Sequence, residues 1–227
     1  METKRTLWLK GSIITLFLIM LVIPAKAQDL DTLQNMPNLL LPKFTRGMVK
    51  LKGGRVNSAI LNYDLVGQRM VFLQRKLTLV LDDPNEVDTI FLANRIFIPA
   101  EKGFYEILLQ APLTLYKQNK SYVESLGTPT LYGARSQTTG PSYVQQIYGA
   151  RGAIDLTIPK NYKVVDDSEY WIRQNGELSH FSTKRQFLKN YPDKQKDLKQ
   201  YIKKSKTDFS DTKQVVALVT YLNELYR

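Results

Sequence analysis

Residues 87–117 read VDTIFLANRIFIPAEKGFYEILLQAPLTLYK. Apolar side chains recur at every second position in Ile90 and Leu92, in Ile96 and Ile98, and in Tyr105, Ile107 and Leu109, the period of a strand with one buried face. Between these runs stand Ala93-Asn94, Glu101-Lys102-Gly103 and Ala111-Pro112, which carry turn chemistry and leave no room for a helix. Connections this short join antiparallel neighbours, because a parallel crossover needs a dozen or more residues. The stretch predicts a meander of Val87–Leu92, Arg95–Pro99, Phe104–Gln110 and Leu113–Lys117.

Working outward, the same code continues on both sides. Towards the N-terminus it predicts strands Arg55–Leu65, Arg69–Gln74 and Leu77–Leu81, broken at Val66-Gly67 and at Asp82-Asp83-Pro84-Asn85. Towards the C-terminus it predicts Ala153–Ile158 and Glu169–Arg173. Gln174-Asn175-Gly176-Glu177 then turns the chain into Leu178–Phe181, and Asn-Gly between apolar runs is a strong hairpin signal.

Past Phe181 the period changes from two to that of helices. Ser182 or Thr183 caps a short helix ending near Tyr191-Pro192. Asp193–Lys204 forms a second, with Leu198, Tyr201 and Ile202 as its apolar stripe. Ser210 caps a third, Asp211–Tyr226, with Val215, Leu218, Val219, Leu222 and Leu225 at helical spacing. The expected class is α+β: an antiparallel sheet, sandwich-like or open, in residues 46–181, followed by a helical cap of three short helices in 182–227.

The N-terminus has the three parts of a secretory signal. Lys4, Arg5 and Lys10 precede the charge-free apolar run Gly11–Ile23, and Ala25-Lys26-Ala27 supplies the small residues that signal peptidase requires. The run stops at Pro24 and Lys26, short of the ~20 residues of a spanning helix. Cleavage after Ala27 and export are therefore expected. Residues 28–45, with Pro37 and Pro42 around Leu39-Leu40-Leu41, read as an extended arm that packs through its leucines.

The chain has 32 Lys and Arg, 21 Asp and Glu and no cysteine. Loss of residues 1–27 leaves 28 basic and 20 acidic residues, a net charge of +8. The absence of cysteine excludes thiol catalysis, cysteine-held zinc, iron–sulfur clusters and disulfides, so packing alone holds the fold. The positive charge suits anionic surfaces such as lipid headgroups or acidic glycans, and much of it lies on the C-terminal helices. Nucleic acid is not an expected partner of an exported protein.

Signatures of chemistry are scarce. The single histidine, His180, rules out histidine-rich zinc sites and sits in a strand, where an exposed or structural role is the commoner one. Asp82 to Asp88 is rich in carboxylates but lacks the spacing and glycine of a calcium loop. No G-x-S-x-G turn occurs, and Gly53-Gly54 matches no phosphate loop. Asp166, Asp167 and Glu169 beside Tyr170-Trp171 form the best local candidate for a carboxylate group that acts on a sugar, while pairs drawn from distant positions stay open. No cofactor and no metal are expected.

Residues 126–152 depart from the alternating pattern. They combine Gly, Pro, Ser and Thr with Tyr132, Tyr143 and Tyr148, and Tyr132-Gly133-Ala134-Arg135 returns as Tyr148-Gly149-Ala150-Arg151. Tyrosine and arginine carry much of the energy of protein interfaces, and tyrosine among small residues makes adaptable loops. Tyr132, Arg135, Tyr143, Tyr148 and Arg151 are thus the expected binding residues.

Two sets of words resemble a group of small exported proteins of Bacteroidota. The first runs through Leu61-Asn62-Tyr63-Asp64, Gln68 to Phe72, Val87-Asp88-Thr89-Ile90 and Arg95 to Pro99. The second runs from Asn175-Gly176 through Phe181, Phe187-Leu188 and Tyr191-Pro192 to Tyr201-Ile202-Lys203-Lys204 and Tyr221 to Leu225. The resemblance spans most of the expected mature chain, residues 28–227, except the arm and the loop. It implies a periplasmic or outer-membrane-facing setting and transfers no catalytic residue.

The expected function is that of a non-catalytic periplasmic protein that binds another envelope protein. A glycan hydrolase with dispersed carboxylates and a charge-driven module for membrane surfaces or lipopolysaccharide are the alternatives.

Overall fold

A computed structural model describes residues 34–81, 83–126 and 153–227, with the backbone of 128–129 and 135–136. The expected signal segment, Asp82 and the loop residues Tyr132, Tyr143, Tyr148 and Arg151 lie outside the described residues. Among the described residues no helix is long and apolar enough to cross a membrane.

The protein is α+β, with antiparallel strands followed by three helices. The strands are Thr45–Leu51 (β1), Val56–Asp64 (β2), Arg69–Gln74 (β3), Leu77–Val80 (β4), Val87–Leu92 (β5), Arg95–Pro99 (β6), Phe104–Leu109 (β7), Thr114–Gln118 (β8), Ser121–Ser125 (β9), Thr128–Pro129 (β10), Arg135–Ser136 (β11), Tyr162–Asp166 (β12), Glu169–Gln174 (β13) and Glu177–Phe181 (β14). Ten of them form one sheet in the order β14-β13-β8-β7-β6-β5-β1-β2-β3-β4. β9 pairs with β12, and β10 with β11. The helices are Lys184–Asn190 (α1), Gln195–Ser205 (α2) and Thr212–Glu224 (α3).

The meander predicted from residues 87–117 is present as β5 to β8. Asn175-Gly176 forms its hairpin with both residues at positive φ, 51° and 87°. Arg75-Lys76 and Ala93-Asn94 make turns of the same hand without any glycine.

Four details correct the sequence reading. Ala153–Ile158 is not a strand: only Ala153 bridges to Leu79, and Ile154 and Leu156 are buried against Leu39 and Val71. Their alternation serves to plug a sheet face rather than to extend a ladder. β1 was hidden because Gly47 occupies one of its inward positions. A Cβ there would stand 2.7 Å from the Phe91 carbonyl oxygen, so close strand packing requires glycine. The third helix is capped by Asp211, not Ser210: its carboxylate accepts from the Lys213 and Gln214 amides. The second begins with a 3-10 turn at Pro192–Lys194, where proline fits a first turn that needs no amide donor.

The sheet has two differently covered faces. Register places Val49, Ile90, Phe97, Glu106, Lys117, Tyr170 and Phe181 in one inward row from β1 to β14. At the β14 end this face packs on α1–α3 through Phe187, Leu198, Val215, Leu218 and Leu222. At the other end the sheet curls on itself. Tyr63 of β2 contacts the ring of Phe104 at 6.3 Å, although four strand spacings would separate β2 and β7 by ~19 Å in a flat sheet. Between the two cores lies a polar seam in which buried Glu106 accepts from Arg95 Nε (3.2 Å) and Asn119 Nδ2 (2.8 Å).

Candidate functional site

The outward face between β2 and β14 is where the structure differs most from a finished core. Met48 pairs with Ser58 and Phe91, and Phe91 with Ile96. On the far strands Ile107 pairs with Tyr116, Tyr116 with Trp171, and Trp171 with His180. Ile96 and Ile107 each stand one residue beyond the Phe97–Glu106 pair, so the two halves meet in a single row across eight strands. β5 to β8 carry apolar residues on both faces, so strict alternation leaves some of them on the outward side.

The row is open at its Met48 and Phe91 end, half-buried at Ile96, Ile107 and Trp171 and buried at Tyr116, and none of its residues belongs to a core cluster formed with the arm or the helices. Met48 is 49% exposed and Phe91 38%. At this end the row opens into a groove of about 700 Å³ lined by Met48, Phe91 and Ile96 with Arg46, Arg95 and Asn94. Isolated exposed apolar residues need no explanation, but adjacent exposed Met48 and Phe91 in a groove beside Arg46 have the composition of an interface.

The other end of the row is aromatic. Tyr105 stands 5.6 Å from both Tyr116 and Trp171, and Trp171 is 5.1 Å from His180, centroid to centroid. The Arg173 guanidinium lies 5.3 Å over the Tyr116 ring, a cation–π arrangement. Burial is the main cause that raises the Tyr105 pKa. The hydroxyl is therefore neutral at physiological pH and serves as a hydrogen-bonding group.

The carboxylates beside Trp171 have local partners. Lys120 Nζ reaches Glu169 at 2.9 Å and Asp167 at 3.2 Å. Partial burial disfavours the Lys120 charge, yet its hydrogen bonds to these two acids outweigh that and raise its pKa. Asp166 holds the turn by accepting from the Ser168 amide and hydroxyl. All three acids thus perform the work of a strand connection. His180, exposed on β14, faces Trp171, and its backbone carbonyl accepts from Asn190 Nδ2 at 3.1 Å. Among the described residues no group of three or more His, Asp or Glu could hold a metal ion. Asp83, from the carboxylate-rich stretch, caps a 3-10 turn by accepting the Asn85 amide.

Of the binding residues expected in the loop, Arg135 has a described backbone, paired with Pro129. Tyr132, Tyr143, Tyr148 and Arg151 fall outside the described residues. Sequence reasoning missed Met48 and Phe91 as a surface pair, because alternation alone does not say which face stays uncovered. Comparison with protein-family models, curated proteins and solved structures finds no match to this chain.

Proposed function

We propose that the protein is a non-catalytic binding component of the cell envelope, engaging another envelope protein through the outward face of its sheet. The observation that supports this is the apolar groove at Met48, Phe91 and Ile96, where Met48 and Phe91 stand exposed at the end of a row that runs on to His180. Methionine, aromatic residues and arginine are enriched at protein interfaces, and Arg46 and Arg173 supply basic charge suited to an acidic partner surface. The secretory pattern of residues 1–27 and the resemblance to exported proteins of Bacteroidota support the compartment. The Tyr/Gly/Arg segment of residues 126–152 is the second binding element in this reading.

The test is an affinity pull-down from the native envelope with three baits: wild type, Met48→Ser with Phe91→Ser, and a chain lacking residues 130–150. The reading expects a defined protein partner that is lost with the double substitution while the melting temperature stays within a few degrees. Recovery unaffected by the double substitution but lost with the deletion moves the site to the loop. Glycan fragments co-purifying in place of a protein favour the hydrolase alternative.

A further inference from the structure

The charge of this protein is concentrated. Residues 184–206 carry nine basic side chains against Asp193 and Asp197, a net +7 of the +11 of the whole chain. They occupy α1, α2 and the turns at their ends, and all of them but half-buried Lys194 are exposed. A solvated helical face usually interleaves both signs, with Glu four residues from Lys. Here there is no glutamate at all. Asp193 is already held by the Tyr226 hydroxyl at 3.0 Å, and none of the nine cations forms an ion pair among the described residues.

Three of these cations converge. Lys184 and Arg185 of α1 and Lys199 of α2 line a groove of about 440 Å³, with Leu188 and Gln195. Gln195 Oε1 accepts from Lys199 Nζ at 2.8 Å, which steadies the ammonium beside the groove. Like charges are brought together without a counter-ion, an arrangement that a bound anion stabilises.

We propose that this groove binds the phosphate of an anionic phospholipid headgroup and docks the helical side of the protein on a membrane surface. This second surface is independent of the outward sheet face. Arg185 offers a planar fork to phosphate oxygens, and Lys184 and Lys199 add point charges on either side. Leu188 gives the groove an apolar contact for glycerol carbons. No aromatic ring lines it, so it lacks the stacking platform that a sugar would use. The remaining lysines, Lys189, Lys194, Lys196, Lys203, Lys204 and Lys206, spread attraction over the surrounding membrane.

The test is co-sedimentation of the mature chain with phosphatidylcholine vesicles, with and without phosphatidylglycerol. Binding should require phosphatidylglycerol and weaken steeply with added salt. Lys184→Gln with Arg185→Gln and Lys199→Gln should reduce it by about a hundredfold. The charge-matched control Lys203→Gln with Lys204→Gln and Lys206→Gln should cost about tenfold or less. Circular dichroism confirms that each variant is folded, as expected for exposed side chains. Equal losses in the two triple variants overturn the groove assignment in favour of diffuse attraction. Displacement from vesicles by millimolar inorganic phosphate identifies a free anion as the ligand and overturns membrane docking. Tighter binding to dextran sulfate than to vesicles, lost in the same groove variant, overturns the lipid in favour of an acidic glycan. Absence of binding to either vesicle overturns the proposal outright.

Discussion

Asn62 gives Leu41 both hydrogen bonds that a neighbouring strand would give. Its Oδ1 accepts the Leu41 amide at 3.0 Å and its Nδ2 donates to the Leu41 carbonyl at 2.9 Å. Asn223 repeats the arrangement on Leu113, accepting its amide at 2.9 Å and donating to its carbonyl at 3.2 Å. One asparagine fastens the arm to the sheet, and the other fastens the third helix to it.

Replacing Asn62 by Ala strands two backbone groups of Leu41 in a partly buried site, and each orphaned group costs ~1–3 kcal/mol. Asn62→Ala is expected to lower the unfolding free energy by about 2–4 kcal/mol in urea titration, and Asn223→Ala by a similar amount. The residues lie in different cores, so the double variant should be close to additive. A loss under about 0.5 kcal/mol for either would show that water replaces the side chain.

Gly103 closes the curl of the sheet. Its φ is +71°, and an added Cβ would lie 2.5 Å from the Gln68 carbonyl oxygen and 2.7 Å from the Tyr63 hydroxyl. Left-handed strain and overpacking therefore add, and Gly103→Ala is expected to cost about 2–5 kcal/mol by the same titration. Tyr63 has no easy retreat, since its ring is stacked on Phe97 and it is wholly buried.

The Arg75-Lys76 turn between β3 and β4 holds both residues at positive φ, 50° and 65°. Turns of this hand favour Asn-Gly, because glycine enters the left-handed region without steric cost. Lys76→Gly should raise stability by about 0.5–1 kcal/mol, an increase that thermal or urea unfolding resolves.

The approach to the third helix is acid-sensitive. Asp208 and Asp211 are held below the usual carboxylate range, first by backbone amides of Ser210 and Lys213 respectively. Groups depressed in the folded state contribute stability above the unfolded value, near 3.8, and lose that contribution as pH falls through the folded value. Asp64 acts in the opposite sense. Burial is the largest cause and raises its pKa despite the Gly67 amide and Arg69, so its contribution favours folding at low pH and fades as pH rises through the folded value. Asp211→Asn retains a neutral cap. It should match wild type at pH 7 and surpass it below about pH 4, as followed by urea midpoints across that range.

Processing of the N-terminus follows from Ala25-Lys26-Ala27. Intact-mass measurement of the exported protein should show a chain beginning at Gln28, free or cyclised. A chain retaining Met1 contradicts a soluble periplasmic protein.

Sequence by itself determined the antiparallel meander and the three helices. Short Gly, Pro and Asn turns permit only hairpins, and the change of apolar period near Phe181 marks the passage to helices. Composition alone removed all thiol chemistry. Only the tertiary structure decided which apolar positions became core. In β6 the residues Ile96, Phe97 and Ile98 are all apolar, so alternation offers two equivalent faces. Phe97 is buried because the sheet curls and Tyr63 closes over it, while Ile96 stays half-buried and lines the outward groove. Ile154 and Leu156 have the spacing of a strand, yet they fill the face beside Val71 because the Asn38 side chain donates to the Leu156 carbonyl and holds that segment there. The groove between the first two helices likewise depends on how they pack, since Lys199 joins Lys184 and Arg185 only when α2 folds back beside α1. Periodicity is a local property of the chain, whereas coverage depends on where distant segments come to rest.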